Sequence, residues 1–127
     1  MITFICIVEK NPNKDWLKEI IQHLKYNVHE ESAGRLIAED NKRWIAVSKY
    51  LDSEIEYDTS EKLFVKKILQ SPQFILVESN SHSLANELIS SMEYGNFYID
   101  NDHGMIAPLK QIKEHIESDL DWSTKGV

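Results

Sequence analysis

Apolar residues recur along the chain with two periods, one typical of strands and the other of helices. Residues 2–8 and 73–79 are largely continuous apolar runs with β-branched side chains, which predicts two buried strands. Asp40 and Asn41 are turn residues between two further apolar segments, a pattern typical of a β-hairpin. The predicted strands are residues 2–8, 34–39, 43–50, 73–79 and 96–100, with Met105 and Ile106 as a further extended pair.

Four other segments repeat apolar residues at the spacing of amphipathic helices. The residues predicted to begin them are Asn11 or Asn13, then Asp58 with Glu61, then Ser81 or Ser83, and finally Pro108. The positions that carry the helical spacing are Trp16, Leu17, Ile20, Ile21 and Leu24; Leu63, Phe64, Lys67 and Ile68; Leu84, Ala85, Leu88, Ile89 and Met92; and Leu109, Ile112, Ile116 and Leu120. The first, third and fourth of these sets are predicted to face the core.

This order of strands and helices mixes hairpins with crossovers, which indicates an α+β protein. A chain of 127 residues with 42% hydrophobic content suits one domain with its own core. We therefore predict a single α+β domain over residues 1–127, with a mixed, largely antiparallel sheet packed against about four helices. One face of the sheet is expected to be covered and the other partly open.

The segment LDSEIEYDTSE at residues 51–61 alternates acidic residues with apolar ones. Asp52, Glu54, Glu56 and Asp58 occupy every second position, and Tyr57 lies between the last two. Alternate side chains of a strand point to opposite faces, so an extended backbone would present the four carboxylates along one edge. We call this predicted row of carboxylates the acidic ladder.

The negative charge of the chain is concentrated in two stretches. Of 21 acidic residues, five lie in residues 52–61 and four in residues 114–121, and neither stretch contains a lysine or an arginine. Such surfaces repel nucleic acid and anionic membranes, and they speed encounter with a basic protein. Each stretch taken alone also fits a solvated face of an ordinary element. The partner-binding candidates are Asp52, Glu54, Glu56, Tyr57, Asp58, Glu61, Glu114, Glu117, Asp119 and Asp121.

The strongest catalytic candidate is the cluster Asp100, Asp102 and His103 in the stretch FYIDNDHG. Two carboxylates and an imidazole could bind a divalent metal or share a proton, as in a small hydrolase. Asn, Asp and Gly are also the residues that a tight turn selects, and no nucleophile motif or phosphate-binding glycine loop accompanies them. We therefore predict a turn here and expect no enzymatic activity, no metal and no cofactor.

The remaining features of the sequence bear on location. Cys6 is the single cysteine, which excludes an internal disulfide and predicts a packed core residue. The chain has no run of about 18 apolar residues and no signal-peptide pattern at its start, so a cytoplasmic protein is expected. Tyr57 and Trp122 are flanked by acidic residues, a setting that suits a protein interface better than base stacking.

A small acidic α+β chain with the segment LDSEIEYD and the ending FYIDNDHGMIAPLKQIKEHI resembles the immunity proteins of bacterial contact-dependent growth inhibition and related polymorphic toxin systems. The resemblance implies a stoichiometric inhibitor that binds the C-terminal domain of a cognate toxin, often a nuclease with a basic groove, and occludes its active site. It assigns no individual residue, so the partner-binding candidates depend on charge and aromatic content. Another interaction or regulatory module is the alternative to this role.

Overall fold

The computed structural model describes residues 1–32, 34–50 and 57–124, which form one α+β domain. The strands in these ranges are β1 (Ile2–Glu9), β2 (Asn27–Ser32), β3 (Arg35–Asp40), β4 (Arg43–Tyr50), β5 (Pro72–Ser79), β6 (Phe97–Asp100) and β7 (Ile106–Pro108). They form one sheet in the order β2-β3-β4-β5-β1-β6-β7, and each pair of neighbours is antiparallel. The helices are α1 (Trp16–Ile21), α2 (Thr59–Ile68), α3 (His82–Ser91) and α4 (Leu109–Glu117). The predicted fold class is confirmed.

The two apolar runs of the sequence are central strands. β1 and β5 pair along their whole length, from Ile2 opposite Ser79 to Glu9 opposite Pro72. Because both faces of the sheet are covered at this point, β1 can be apolar on both sides without exposing hydrophobic surface. Cys6 lies within this strand with no exposed surface, as predicted, and burial raises the pKa of its thiol.

One face of the sheet carries the larger hydrophobic core. Helices α1, α3 and α4 pack on this face, and Phe4 of β1 lies at its centre with no exposed surface. All five apolar positions predicted for α3 are buried there, namely Leu84, Ala85, Leu88, Ile89 and Met92. The helical period of the sequence therefore identifies the inward side of α3 correctly.

The opposite face carries a smaller core under α2. Ile5, Ile7 and Phe74 point to this face and bury Val65 and Leu69 at the inner side of the helix. Leu63 is on the outer side, with 62% of its surface exposed, and Phe64 is 39% exposed at the border of the sheet, where its ring meets that of Tyr98. The helical spacing of these residues alone did not predict this orientation.

Local capping explains where three of the helices begin. Asp58 and Glu61 form the predicted capping box of α2, and Ser81 caps α3 by accepting a hydrogen bond from the Leu84 amide. The prediction for α1 was wrong, because its cap is Asp15, which accepts from the Lys18 amide, and not Asn11 or Asn13. The Asn11 side chain instead accepts from the Asn13 amide in the preceding turn.

Two further elements differ from the sequence prediction. β2 was not predicted, because all six of its residues are exposed at the edge of the sheet and show no apolar alternation. Leu120 was expected inside α4 but is 57% exposed. The helix ends at Glu117, and the positive φ of Asp119 turns the chain before Leu120, so the helical spacing no longer applies there.

Candidate partner-binding site

The structure places only part of the acidic ladder. Asp52, Glu54 and Glu56 lie in residues 51–56, outside the described residues, so their predicted alternation along one edge stays a prediction. Tyr57, Asp58 and Glu61 are described and lie at the start of α2. These three residues mark the position of the candidate site.

Tyr57 is held by contacts on both its ring and its hydroxyl. The ring meets Phe74 edge to face with 6.0 Å between centroids, and the hydroxyl donates a 2.7 Å hydrogen bond to Oδ2 of Asp100. Burial, this hydrogen bond and the charges of Asp100, Glu61 and Asp102 all raise the pKa of Tyr57. The side chain predicted as an interface anchor is therefore engaged within the domain, where it joins α2 to the end of β6.

Asp58 and Glu61 use their carboxylates to begin α2. Oδ1 of Asp58 accepts from the Glu61 amide at 2.8 Å, and Oε1 of Glu61 accepts from the Asp58 amide at 3.2 Å. A reciprocal cap of this kind satisfies two amides that would otherwise lack a partner in the helix. Two predicted binding residues thus have a local structural role, which fixes both negative charges at the end of the helix.

The catalytic candidates Asp100, Asp102 and His103 lie in the loop between β6 and β7. Oδ1 of Asp100 accepts from the Asp102 amide at 2.8 Å, so both carboxylate oxygens of this buried residue accept hydrogen bonds. Asp102 and His103 are exposed, and Asp102 has a φ of 61°. Asp is one of the few residues that adopts such a backbone readily. These features fit the predicted turn.

Asn101 organises this loop, and sequence reasoning did not single it out. It is fully buried, and its Oδ1 accepts from the amides of His103 and Met105 at 2.9 and 3.1 Å. Its Nδ2 donates to the Trp122 carbonyl at 2.7 Å, which ties the loop to the end of the described chain. The signal in the sequence was an Asn between two Asp residues just before a Gly, because turns and side-chain caps select Asn.

These contacts bring acidic residues together around the Tyr57 hydroxyl. The charges of Asp100, Glu61 and Asp102 all act on the Tyr57 hydroxyl, and Asp58 is the next residue in the chain. We name the set Asp58, Glu61, Asp100 and Asp102 the acidic end. The chain of the acidic ladder leads directly into it, because residues 51–56 precede Tyr57.

The second acidic stretch is divided by the structure. Glu114 and Glu117 are exposed on α4 and line a cleft of about 470 Å³ that also contains Lys110 and Lys113. The charge of this cleft is therefore mixed. Asp119 is exposed just past the helix, at a φ of 55°. These residues are not part of the acidic end.

Asp121 closes the turn that follows α4. It accepts hydrogen bonds from the amide and hydroxyl of Ser123 and from the Thr124 hydroxyl, and these bonds, led by that of Thr124, lower its pKa to about 2.

Trp122, also considered for an interface, is 3% exposed and meets Phe4 edge to face at 5.2 Å between centroids. Trp122 is thus part of the large core, where its Nε1 donates to Asn86, although its acidic neighbours in the sequence suited an interface.

A serine, a histidine and an aspartate meet at this turn, a set that the sequence analysis did not identify. Oγ of Ser123 lies 3.1 Å from Nε2 of His82 and donates to Oδ1 of Asp121 at 3.0 Å. In a catalytic triad the carboxylate orients the imidazole and the imidazole accepts the serine proton. Here the carboxylate accepts that proton directly, so the arrangement supports the turn, and no carboxylate of the described residues orients His82.

A cleft of about 730 Å³ at the C-terminal end of β1 has the opposite charge. Lys10, Lys14 and Lys49 line it, and Nζ of Lys14 lies 4.6 Å from the centroid of the Trp16 ring. Lys49 of β4 is distant in sequence from Lys10 and Lys14, so no local pattern predicted that all three lysines line one cleft. The fold therefore separates a basic cleft from the acidic end.

Within the described ranges, no group of three or more His, Cys, Asp or Glu residues is arranged to hold a metal ion. The same part of the chain contains no helix whose length and apolar character would allow it to cross a membrane. Comparison with known proteins gives no relative: no protein-family model, curated protein or solved structure matches the chain.

Proposed function

We propose that this protein is a cytoplasmic immunity protein that binds the basic C-terminal domain of a toxin and neutralises it by occluding its active site. The observation that supports this role is the acidic end. Tyr57 donates to Asp100 and so brings Glu61, in the described part of the acidic segment, near the acidic turn after β6. Charge that the sequence spreads over two regions is concentrated on one surface, where a basic groove is its natural complement.

The electrostatic argument favours a partner of opposite charge. Like charges gathered on one surface repel one another and lower the stability of the free protein. A basic partner removes this repulsion on binding, and the long-range attraction raises the rate of encounter. With a net charge of −7, the chain as a whole also attracts a cationic domain. The acidic end would then direct the partner to one surface of the molecule.

The roles of the acidic residues support binding more than hydrolysis. Both oxygens of Asp100 accept hydrogen bonds, from the Tyr57 hydroxyl and the Asp102 amide. A general base must lie within reach of substrate or water, and Asp100 is only 4% exposed. Asp100 is therefore better suited to holding the loop, while the exposed Asp102 contributes charge.

The test uses the C-terminal domain encoded by the reading frame adjoining the gene for this chain. The domain is expressed from an inducible promoter in cells with and without the full chain, and growth is followed. We expect the domain to stop growth, the chain to restore it, and the two proteins to form a stoichiometric complex by calorimetry. The proposal is wrong if the domain is harmless, or if the chain neither binds it nor protects the cells.

A matched pair of variants asks which acidic region meets the partner. Asp102→Asn and Asp119→Asn each remove one exposed charge at a positive φ, which Asn also tolerates. Asp102 belongs to the acidic end and Asp119 to the second acidic stretch. We expect Asp102→Asn to slow association at low salt and Asp119→Asn to leave it unchanged. The reverse result would move the binding surface to the end of α4.

A further inference from the structure

The larger core ends in a polar surface beside the start of α1, where the basic cleft lies. Val47 of β4 and Ile75 of β5 are buried in that core, and alternate residues of a strand point to the same face. Lys49 is therefore the next residue after Val47 on this face of β4. On β5, Gln73 lies beside Ile75 on the same face. Apolar surface thus gives way to polar side chains at this end of the sheet.

Lys10 and Lys14 bring two further charges to the basic cleft. Directly after β1, the Lys10 amide continues the pairing with β5 by donating to the Ser71 carbonyl at 2.8 Å. Nζ of Lys14 lies 4.6 Å from the centroid of the Trp16 ring and 5.5 Å from that of Tyr94. Such contacts attract an ammonium group without neutralising it. Together with the lysine of β4, three positive charges therefore line one cleft.

The charges of these lysines are not balanced by ion pairs. Arg35 and Arg43 are the two arginines of the chain, and each forms ion pairs with two carboxylates. No carboxylate among the described residues forms an ion pair with Lys10, Lys14 or Lys49. Like charges in one cleft repel one another, so an anion that enters the cleft relieves this repulsion.

The acidic residues closest to the basic cleft already have local partners. Asp15 is the one acidic residue among the described residues that line it, and its Oδ1 accepts from the Lys18 amide as the cap of α1. Glu9, at the end of β1, accepts from the amides of Gln70 and Ser71 at 3.1 and 2.6 Å. Three lysines against one aspartate leave the described lining with a net positive charge.

We propose that the basic cleft binds a small molecule that carries two or more phosphoryl groups. A phosphoryl group brings a charge of about −2 and three acceptor oxygens, and lysine binds it as a point charge. Because three ammonium groups exceed the charge of one phosphoryl group, two such groups match the cleft better than one. Asn11, Ser71 and Gln73 also line it and can donate hydrogen bonds to the oxygens.

The size of the cleft and the charge of the chain favour a small ligand over a nucleic acid. A volume of about 730 Å³ is within the usual range of small-molecule sites, roughly 300 to 1,000 Å³. A long polyanion would also meet the rest of a chain whose net charge is −7, and this charge would repel it. A compact anion meets mainly the cleft. This site is separate from the acidic end, and the inference does not depend on the proposed function.

Calorimetric titration of the full chain with tripolyphosphate tests the inference. We expect one tripolyphosphate bound per chain, weaker binding of inorganic phosphate, and far weaker binding of citrate, which carries carboxylates instead. Adenosine triphosphate distinguishes two sources of the same chemistry: tighter binding than tripolyphosphate would assign a nucleotide, and weaker binding a free polyphosphate. Absence of tripolyphosphate binding would overturn the inference, and equal binding of citrate would overturn the assignment to phosphoryl groups.

A matched pair of double variants locates the binding. Lys10→Gln with Lys49→Gln removes two exposed lysines of the cleft, and Lys62→Gln with Lys66→Gln removes two exposed lysines of α2. Both change the net charge of the chain by the same amount. We expect the first pair to weaken tripolyphosphate binding at least about tenfold and the second less than about threefold, since only the first removes direct contacts. Equal losses in the two pairs would overturn the site.

Nuclear magnetic resonance of the wild-type chain gives a reading that does not depend on the folding of any variant. Nε1 of Trp16 donates to the Glu9 carbonyl at 3.1 Å, and the Lys14 ammonium lies over the same ring. An anion that draws Lys14 into the cleft should therefore shift the indole N–H signal of Trp16. The signal of Trp122, which packs on Phe4 nearer the start of β1, should stay in place. A Trp16 signal that does not move on saturation with tripolyphosphate would overturn the inference.

Discussion

The hydroxyl of Tyr57 donates a 2.7 Å hydrogen bond to Asp100, a residue 43 positions further along the chain. The bond joins the start of α2 to the end of β6 and brings together two regions that the sequence presents as separate candidates. One was considered for partner binding and the other for catalysis. In the folded domain, the charges of Glu61 from one region and of Asp100 and Asp102 from the other all raise the pKa of the Tyr57 hydroxyl.

We expect Tyr57→Phe to lower the free energy of unfolding by about 1.5 to 3 kcal/mol, the usual range for a hydrogen bond to a charged group. The substitution keeps the ring against Phe74 and removes only the donor to Asp100. Tyr98→Phe is the matched control, because no hydrogen bond of the Tyr98 hydroxyl is seen among the described residues. Urea unfolding measures both, and equal losses would contradict a special role for the Tyr57 hydroxyl.

Asn101→Ala should destabilise the domain by at least about 2 kcal/mol, since each buried polar group left without a partner costs about 1 to 3 kcal/mol. The change leaves the His103 and Met105 amides and the Trp122 carbonyl without the Asn101 side chain. His103→Ala removes an exposed side chain of the same loop and should change stability by less than about 0.5 kcal/mol. Similar midpoints of urea unfolding for the two variants would refute this account of the loop.

The hydroxyl of Tyr94 should make stability depend on alkaline pH. Burial, followed by the hydrogen bond to Glu19 and its charge, raises the pKa of Tyr94 to about 12 from an ordinary value of 10. The folded state therefore holds the phenol proton more tightly than the unfolded state. This contribution is complete below pH 10 and is lost as the pH rises through about 12.

The variant Tyr94→Phe isolates that effect. It should be less stable than the wild type at neutral pH, and the difference between the two should shrink between pH 10 and about 12. When tyrosinate absorbance is followed against pH, the variant should show one fewer tyrosine titrating near the upper end of this range than the wild type does. A stability difference that stays constant across the range would show that the Tyr94 hydroxyl does not titrate in this way.

Reversal of charge in the acidic ladder tests the prediction made for residues outside the described ranges. We expect Glu54→Lys with Glu56→Lys to abolish protection against the toxin domain and to slow association, most strongly at low salt, where charges are least screened. Stability should change by only about 0.5 kcal/mol if these side chains are on the surface. Binding at two salt concentrations and thermal unfolding provide the measurements.

The control for this experiment is the double variant Glu114→Lys and Glu117→Lys, which changes the net charge of the chain by the same amount. It alters the second acidic stretch, where lysines already line the same cleft. We expect it to retain protection. Tight binding by the ladder variant at low salt, or equal losses in both variants, would show that the acidic ladder is not the recognition surface.

The sequence by itself determined the elements whose causes are local. The continuous apolar runs predicted β1 and β5, and the helical period placed all five inward residues of α3. The capping box of α2 was also predictable, because Asp58 and Glu61 bond to each other's amides across three residues. Each of these features depends on neighbours a few positions away, which the sequence lists directly.

Only the tertiary structure decided which distant residues meet. Edge strand β2 has no apolar face, so its pairing with β3 determines that it is a strand. Leu63 is on the outer side of α2 because Val65 and Leu69 fit the sheet instead. Tyr57 contacts Asp100 because the sheet brings α2 over β6, a consequence of strand order. Periodicity identifies an element and its apolar side, but contacts between elements depend on packing and strand pairing far apart in the chain.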